Sequence, residues 1–302
     1  RDLHTAYRRQ RQMCIRDRNE GKIADVEGYY ENAKINRVYV DRVHVKKAFA
    51  EYTAAYNADD PKIKLKIDHT YRVAALCERI AKAAGMCAYD VELAWLSGML
   101  HDVGRFEQIK RYNTFSDADS VDHAKFGADL LFKDGLISTF LNGMVKCTGY
   151  KPGALEDRYS SDGVFLYDRL NKSDMEMLEL AIRCHNMYRI PQGLNRREQA
   201  FCNVLRDADK VDRFKVNIDT PLEEIYNTTT EELMKSDITD EVLEAFDEEH
   251  CILKAIRRTP ADTVIGHVSL AYELVYDESV RITVEQGYLA KLCLLYTSPS
   301  PR

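Results

Sequence analysis

The stretch Trp95-Leu-Ser-Gly-Met-Leu-His-Asp-Val-Gly-Arg-Phe106 joins an apolar run to an adjacent imidazole and carboxylate, His101 and Asp102. Asp90 is a suitable cap for a helix through this run, and Gly104 is a stop signal after it. An ionisable pair at the end of an apolar helix is costly to place near a core. The stretch therefore predicts a buried helix that ends at a polar site.

Apolar residues at helical spacing recur along most of the chain, whereas strand alternation is scarce. The predicted helices cover about 41–56, 61–85, 90–100, 120–135, 173–187, 196–216, 221–235, 239–257, 261–276 and 279–290. Between 143 and 173 the periodicity weakens and Gly, Pro and Ser accumulate, which is typical of a loop or insert. The sequence predicts an all-α fold, a compact helical bundle with additional C-terminal helices over about 221–292.

The two ends differ from the rest of the chain. Residues 1–18 and 293–302 resemble translated sequencing-adapter sequence and lack helical periodicity, with natural disordered tails as the alternative. We expect a single folded domain over 19–292. The ends carry +4 and +1 of a total charge of −6, so the body carries −11. So acidic a body is a poor candidate for stable nucleic-acid binding.

Cysteine usage and hydropathy indicate a cellular compartment. The eight cysteines include no C-x-x-C pair, so they are expected to be reduced thiols, with Cys77, Cys184 and Cys202 as small core residues. No apolar run reaches the roughly 18–20 residues that span a bilayer, and the basic N-terminus lacks the apolar stretch of a secretory signal. We expect a cytoplasmic protein with no membrane partner.

Histidine and aspartate residues recur on the inward faces of the predicted helices. A lone histidine at such a position is more often a core or surface group than a ligand. Of the seven histidines in 19–292, however, four have inward positions and Asp partners, whereas His44, His250 and His267 do not. Nitrogen and oxygen donors without a spaced thiolate suit a divalent ion in a hydrolytic centre. The predicted ligands are His69, His101, Asp102, His123, His185 and Asp209.

The order of these residues resembles the HD-domain superfamily of metal-dependent phosphohydrolases, over roughly residues 65–215. The resemblance is carried by His101-Asp-Val-Gly-Arg105 and Arg206-Asp-Ala-Asp-Lys210, in the right order and separation. It implies a helical fold and one or two divalent ions (Mn, Fe, Co, Ni, Zn or Mg). It further implies that His69, His101, Asp102 and Asp209 hold the first ion. In two-metal branches Asp102 would bridge both ions, and His123 and His185 would complete the second site.

The resemblance does not extend to a specialised branch. The Gly-Tyr-Pro element of one phosphodiesterase branch is replaced by Asn186-Met-Tyr-Arg-Ile-Pro191, and Arg105-Phe-Glu-Gln-Ile109 does not match the dNTP-hydrolase branch. The predicted reaction is therefore hydrolysis of a phosphate mono- or diester of a small metabolite or nucleotide, with Asp102 and His101 as catalytic residues. The predicted phosphate-binding residues are Arg72, Arg105 and Lys210.

Asp68 and Asp122, each directly before a ligand histidine, are candidates for orienting the imidazoles. Two alternatives to the hydrolase stay open. One is a non-catalytic metal- or nucleotide-binding sensor, although the complete ligand set argues against it. The other is a nucleophilic enzyme that uses Cys184 with His185, but adjacent residues on a helix point about 100° apart. The sequence leaves the oligomeric state open.

Overall fold

The computed structural model describes residues 37–57, 59–141, 145–148, 172–226 and 228–295. The chain divides into two compact units, one of residues 1–38 and 147–165 and the other of residues 39–146 and 166–302. The first unit lies almost wholly outside the described residues. The second contains every site discussed below.

The described part of the chain is mainly helical, and two four-residue strands pair with each other. The strands are β1 (Arg37–Val40) and β2 (Val145–Thr148). The first helices are α1 (Arg42–Thr53), α2 (Pro61–Ala83), α3 (Ala88–Leu100), α4 (Val103–Tyr112), α5 (His123–Ala128), continued by a π-helical turn (Asp129–Lys133), and α6 (Ile137–Leu141). Two long helices follow, α7 (Lys172–Cys184) and α8 (Arg196–Asp219). The C-terminal helices are α9 (Leu222–Ile225), α10 (Thr230–Lys235), α11 (Asp240–Asp247), α12 (Pro260–Val268), α13 (Asp277–Gln286) and α14 (Tyr288–Leu295), with 3₁₀ turns at Lys254–Ile256 and Ser269–Glu273.

The centre of the second unit is the α2–α3 pair, against which α8 packs. The two helices approach closely because Gly98 has no side chain where it meets α2. A Cβ at this position would lie 2.6 Å from Ala74 Cα. Gly104 on α4 plays the same part against α5, where a Cβ would lie 2.5 Å from the His123 carbonyl oxygen. These contacts set the spacing of the helices that carry the predicted ligands.

Most helix starts follow from capping residues in the sequence. Asp41 caps α1, and Asp60 caps α2 with Pro61 in the first turn, where a missing N–H costs nothing. The prediction that Asp90 caps α3 is wrong. The cap is Cys87, and Asp90 lies inside the first turn, where its carboxylate accepts hydrogen bonds from Arg197.

The all-α prediction is confirmed, including the helices that follow α8. Helix α14 ends at Leu295, so it continues past the boundary predicted at 292; residues 1–18 and 296–302 lie outside the described residues. The prediction of one domain over 19–292 stays a prediction. Cys77, Cys184 and Cys202 are buried free thiols, as expected. Among the described helices, none is long and apolar enough to cross a bilayer.

Candidate metal centre

Six side chains from five segments of the bundle converge on one buried centre. Each is at most 6% exposed. They are His69 on α2, His101 and Asp102 between α3 and α4, His123 at the start of α5, His185 directly after α7, and Asp209 on α8. The structure therefore brings together the whole set that the sequence singled out.

The first group of donor atoms surrounds His69. Its Nε2 lies 3.3 Å from His101 Nε2 and 3.2 Å from Asp209 Oδ1. The same nitrogen lies 3.6 Å from Asp102 Oδ2, and His101 Nε2 lies 3.5 Å from that oxygen. Two imidazoles and two carboxylates thus face one point, a donor set that suits a divalent transition metal.

The second group uses the other oxygen of Asp102. His123 Nε2 lies 3.1 Å from His185 Nε2, and these nitrogens lie 3.5 and 3.7 Å from Asp102 Oδ1. Among the described residues, this buried oxygen has no hydrogen-bond partner. A buried carboxylate oxygen without a hydrogen-bond partner is costly, and the nearest guanidinium nitrogen, Arg105 Nε, is 3.8 Å away, so the position suits a further cation. One carboxylate therefore lies between two histidine pairs.

All four imidazoles are held in the same way. Each donates its Nδ1 proton to a protein oxygen: His69 to Asp212 (2.6 Å), His101 to the Gly98 carbonyl (2.8 Å), His123 to Asp117 (2.7 Å) and His185 to the Ile182 carbonyl (2.7 Å). With the proton on Nδ1, a neutral ring presents a lone pair at Nε2. Facing lone pairs repel unless a cation or a proton lies between them. The residues therefore fit divalent ions held by Nε2 atoms.

Burial and neighbouring charges set the protonation states that metal binding requires. Burial lowers the pKa of His101 to about 4, and burial and the charge of Arg105 lower the pKa of His123 to about 3. Burial alone would raise the pKa of Asp102, but Lys66 and the adjacent imidazoles hold it well below its usual range. Near neutral pH the rings of His101 and His123 are therefore neutral and the Asp102 carboxylate is ionised, as metal ligands must be. His69 differs: burial and Lys66 act to lower its pKa, but its hydrogen bonds to Asp209 and Asp212 raise it overall.

The segment that carries the six convergent side chains matches a known protein family. The HD domain matches residues 67–250, which is more than half of the chain and contains all six convergent side chains. The chain belongs to the HD domain family. HD domains bind divalent metals and form a superfamily of metal-dependent hydrolases.

The chain is also similar to a solved structure. A solved structure of a predicted HD superfamily hydrolase from an uncultured Thermotogales bacterium, determined at 1.45 Å, is 22% identical to the chain. The similarity covers 59% of this chain and 76% of that one, with a TM-score of 0.34. No curated protein matches the chain.

The carboxylates that orient the imidazoles of this HD domain are Asp212 and Asp117, not Asp68 and Asp122. Asp68 is exposed and pairs with Lys64. Asp122 caps α5 through the Lys125 amide and accepts a hydrogen bond from Asn186. Residues adjacent on a helix point in different directions, so sequence proximity to a ligand is a poor guide to contact.

Of the three predicted phosphate-binding residues, two line a cavity beside the centre and one pairs with a carboxylate of the centre. Arg72 donates to both oxygens of Asp212 at 2.6 and 2.9 Å, so it holds the carboxylate behind His69. Arg105 is buried and donates to Asp117 at 2.9 Å, and it lines a cavity beside the centre. Lys210 lines the same cavity and donates to a backbone carbonyl at 3.1 Å.

Sequence reasoning missed Lys66, which touches the centre directly. Its Nζ lies 2.7 Å from Asp102 Oδ2, the oxygen that faces His69. The available signal was spacing, because Lys66 precedes His69 by three residues and so shares its helix face. Asp212 follows Asp209 at the same spacing. Asp117 lies in the loop before α5, where no periodicity marks it.

The cavity beside the centre has a volume of about 370 Å³. It is lined both by candidate metal ligands and by cationic side chains. His123, His185 and Asp209 form part of its wall. Its cationic residues are Arg105, Arg206, Lys210, Arg213, Lys254 and Arg257. A basic cavity next to a metal centre can bind a small anion, although the body of the chain is acidic overall.

The Cys184–His185 pair has no nucleophilic geometry. Burial raises the pKa of the Cys184 thiol, which disfavours the reactive thiolate. The His185 ring has both nitrogens engaged, one with the Ile182 carbonyl and the other facing His123. The imidazole therefore belongs to the candidate metal centre, not to a Cys–His pair.

Proposed function

We propose that this HD domain is a metal-dependent phosphohydrolase that hydrolyses a phosphate mono- or diester of a small metabolite or nucleotide. The observation that carries the proposal is the position of Asp102, whose two oxygens face two separate histidine pairs beside a basic cavity. His69, His101 and Asp209 would hold one divalent ion with Asp102, and His123 and His185 would hold a second. Bound ions of this kind act as Lewis acids and supply a hydroxide nucleophile near neutral pH.

The protein's own residues have three roles in this reaction. Asp102 and Asp209 would provide negative charge for the ions, and the Nδ1 hydrogen bonds hold each imidazole in place. Arg105, Lys210 and Arg213 line the cavity and would neutralise the charge of a bound phosphate. Because these groups are already fixed by protein contacts, little reorganisation is needed when charge develops on the phosphoryl oxygens.

Lys66 is a further contributor to the proposed site. Its ammonium group contacts Asp102 Oδ2 and is only partly exposed. In the metal-free chain, the positive charge of Lys66 partly compensates the negative charge of the two buried carboxylates, Asp102 and Asp209. We expect it to stabilise the arrangement of ligands rather than to bind the substrate.

The test is a substrate panel with the metal-reconstituted protein beside Asp102→Ala. The chain is loaded separately with Mn, Fe, Co, Ni, Zn or Mg and assayed against phosphomonoesters and phosphodiesters. We expect Asp102→Ala to lower the rate by about 10²–10⁴, because metal stabilisation of the transition state is worth several kcal/mol. Undiminished activity of Asp102→Ala, or inactivity of every wild-type metal form on every ester, contradicts the proposal.

A second measurement separates one ion from two. Replacing His123 and His185 together by alanine should remove about one bound metal per chain, measured by elemental analysis after equilibration and desalting. His44→Ala is the matched control, because it also removes an imidazole but lies on α1, outside the centre. Equal metal content in the double variant and the control would rule out the second ion.

A further inference from the structure

One part of the cavity wall lies beyond the family match. The HD match ends at residue 250, and the segment that follows contributes Lys254 and Arg257 on the approach to α12 and His267 within it. This segment also lines the cavity with Ile252, Leu253 and Leu270. The HD domain therefore contributes the candidate metal ligands and four of the six cations of the cavity wall. The residues after 250, here called the C-terminal extension, contribute the other two cations and a partly apolar surface.

Lys254 is a cation with no carboxylate partner in the part of the chain that the structure describes. It is exposed to solvent and lines the cavity, and no described residue forms a hydrogen bond or ion pair with its Nζ. The protein atoms around it remove part of its hydration and lower its pKa, and repulsion from Arg213 lowers it further. Most lysines in the described chain that are as exposed have a carboxylate within reach, such as Lys235 with Glu231. Lys254 is thus available to an external anion.

Arg257 adds a fixed charge next to Lys254. Its Nη2 donates to the Ile252 carbonyl at 2.5 Å and to the Gly266 carbonyl at 3.2 Å. The guanidinium can lie against the α12 backbone because Gly266 has no side chain; a Cβ there would be 2.2 Å from Arg257 Nε. The charge is therefore held in one place by the backbone, and none of the carboxylates that the structure describes forms an ion pair with it.

The acidic residues that line the cavity do not balance these cations. They are Asp209 and Glu273. Asp209 is engaged with Arg213 at 3.2 Å and with His69. Charges of Lys254, Arg257 and Arg213 also lower the pKa of His267, after the larger effect of burial, so this ring stays neutral between them. The C-terminal side of the cavity therefore has an excess of positive charge.

We propose that Lys254 and Arg257 form a second anion subsite, so that the preferred substrate is a small phosphate ester carrying another anionic group, a carboxylate or a phosphate. The proposal rests on the proposed function, which assigns the scissile phosphate to the metal centre. Ile252, Leu253 and Leu270 would contact the carbon skeleton between the two anions. The subsite would make the C-terminal extension, rather than the HD domain itself, the determinant of specificity.

The test measures binding to the full chain with metal removed, so that turnover plays no part. The probes are two matched pairs: 3-phosphoglycerate against glycerol 3-phosphate, and adenosine 3′,5′-bisphosphate against adenosine 5′-monophosphate. Within each pair only one member has the second anion. Titration calorimetry should show that the doubly anionic member of at least one pair binds about 10-fold or more tightly, as expected for a charge-assisted contact.

Variants of Lys254 test whether this side chain causes the preference for the doubly anionic probe. In Lys254→Gln the dissociation constants of the two members of a pair should differ by no more than about 3-fold. Lys254→Arg should retain most of the preference for the doubly anionic member. Lys235→Gln is the matched control, because it removes an exposed lysine outside the cavity, and its preference should equal that of the wild type. Thermal unfolding confirms that each variant is folded.

The outcomes separate the two proposals. Equal binding within both pairs, or a preference that survives Lys254→Gln, overturns the subsite. If the preference is present but the metal-loaded chain hydrolyses no ester, the subsite stands and the phosphohydrolase proposal falls. If the chain hydrolyses singly and doubly anionic esters with equal kcat/KM and binds them equally, the phosphohydrolase stands without the subsite.

Discussion

The carboxylate behind His69 gives the sharpest test of the centre. Asp212 accepts the Nδ1 proton of His69 at 2.6 Å and two hydrogen bonds from Arg72 at 2.6 and 2.9 Å, and it is 1% exposed. In Asp212→Asn the side chain keeps one acceptor oxygen but loses its charge, and its amide nitrogen cannot accept from Arg72. At least one charge-assisted hydrogen bond is lost, and the imidazole becomes a weaker and less firmly oriented ligand.

The expected magnitude follows from that loss. Removing an orienting partner of a ligand histidine typically lowers metal affinity 10–100-fold, or about 1.4–2.7 kcal/mol. The same change should cost about 1–3 kcal/mol of folding stability, because Arg72 loses part of its bidentate partner. We expect the affinity effect at the first site, which His69 helps to form, and little change at the site formed by His123 and His185.

The assay is competition with a chromophoric chelator, which gives the affinity of each metal equivalent without reference to turnover. Asp68→Asn is the matched control, because it removes a carboxylate next to His69 in sequence that instead pairs with exposed Lys64. A folded Asp212→Asn that binds its first metal as tightly as Asp68→Asn does would refute the orienting role of Asp212. Equal weakening in both variants would also refute it, since Asp68 does not contact the ring.

Three further expectations concern packing, loop position and pH. Gly98→Ala should lower the free energy of unfolding by about 1–3 kcal/mol in a urea titration, because the new Cβ would overlap the Ala74 backbone; an unchanged midpoint contradicts the close approach. Arg206→Gln removes donors to the carbonyl of Cys184, the last residue of α7, and to those of Met187 and Tyr188 after it, and should weaken the second metal equivalent, read by the same chelator competition; unaltered binding would mean that the segment is held by other contacts. The folded-state pKa values of His101 and His123, about 4 and about 3, lie below the unfolded value near 6.5, so the unfolded chain binds more protons between these limits. Stability of the metal-free chain should therefore fall as pH drops from about 6.5 towards 4, and a flat or rising urea midpoint over that range contradicts the buried neutral imidazoles.

The convergence of the six side chains could be predicted because each of them has a local signal. His69 shares a helix face with apolar residues, and His101 and Asp102 end an apolar helix that a glycine follows. Inward direction is a property of periodicity, so one sequence is enough to find it. The same reasoning placed Asp209 on the inward face of α8.

The partners of those ligands could not be predicted, because they depend on contacts between distant segments. Asp212 is 143 residues from His69, and nothing local tells it apart from Asp68 as a partner of that ring. The sequence predicts that Arg72 binds phosphate, whereas in the folded chain its guanidinium is engaged by Asp212. Lys254 has no periodic or motif signal, and only the folded chain brings its segment to the cavity.

The hydrogen bond between His69 and Asp212 has a consequence for synthesis of the chain. At roughly 5–20 residues per second, a ribosome needs about 7–30 s to add the residues that separate the two partners. Throughout that interval the imidazole has emerged without the carboxylate that fixes its Nδ1 proton. The first ion can therefore be held by its full ligand set only after α8 has been made, and a nascent chain arrested before α8 should bind metal no more tightly than scattered histidines do.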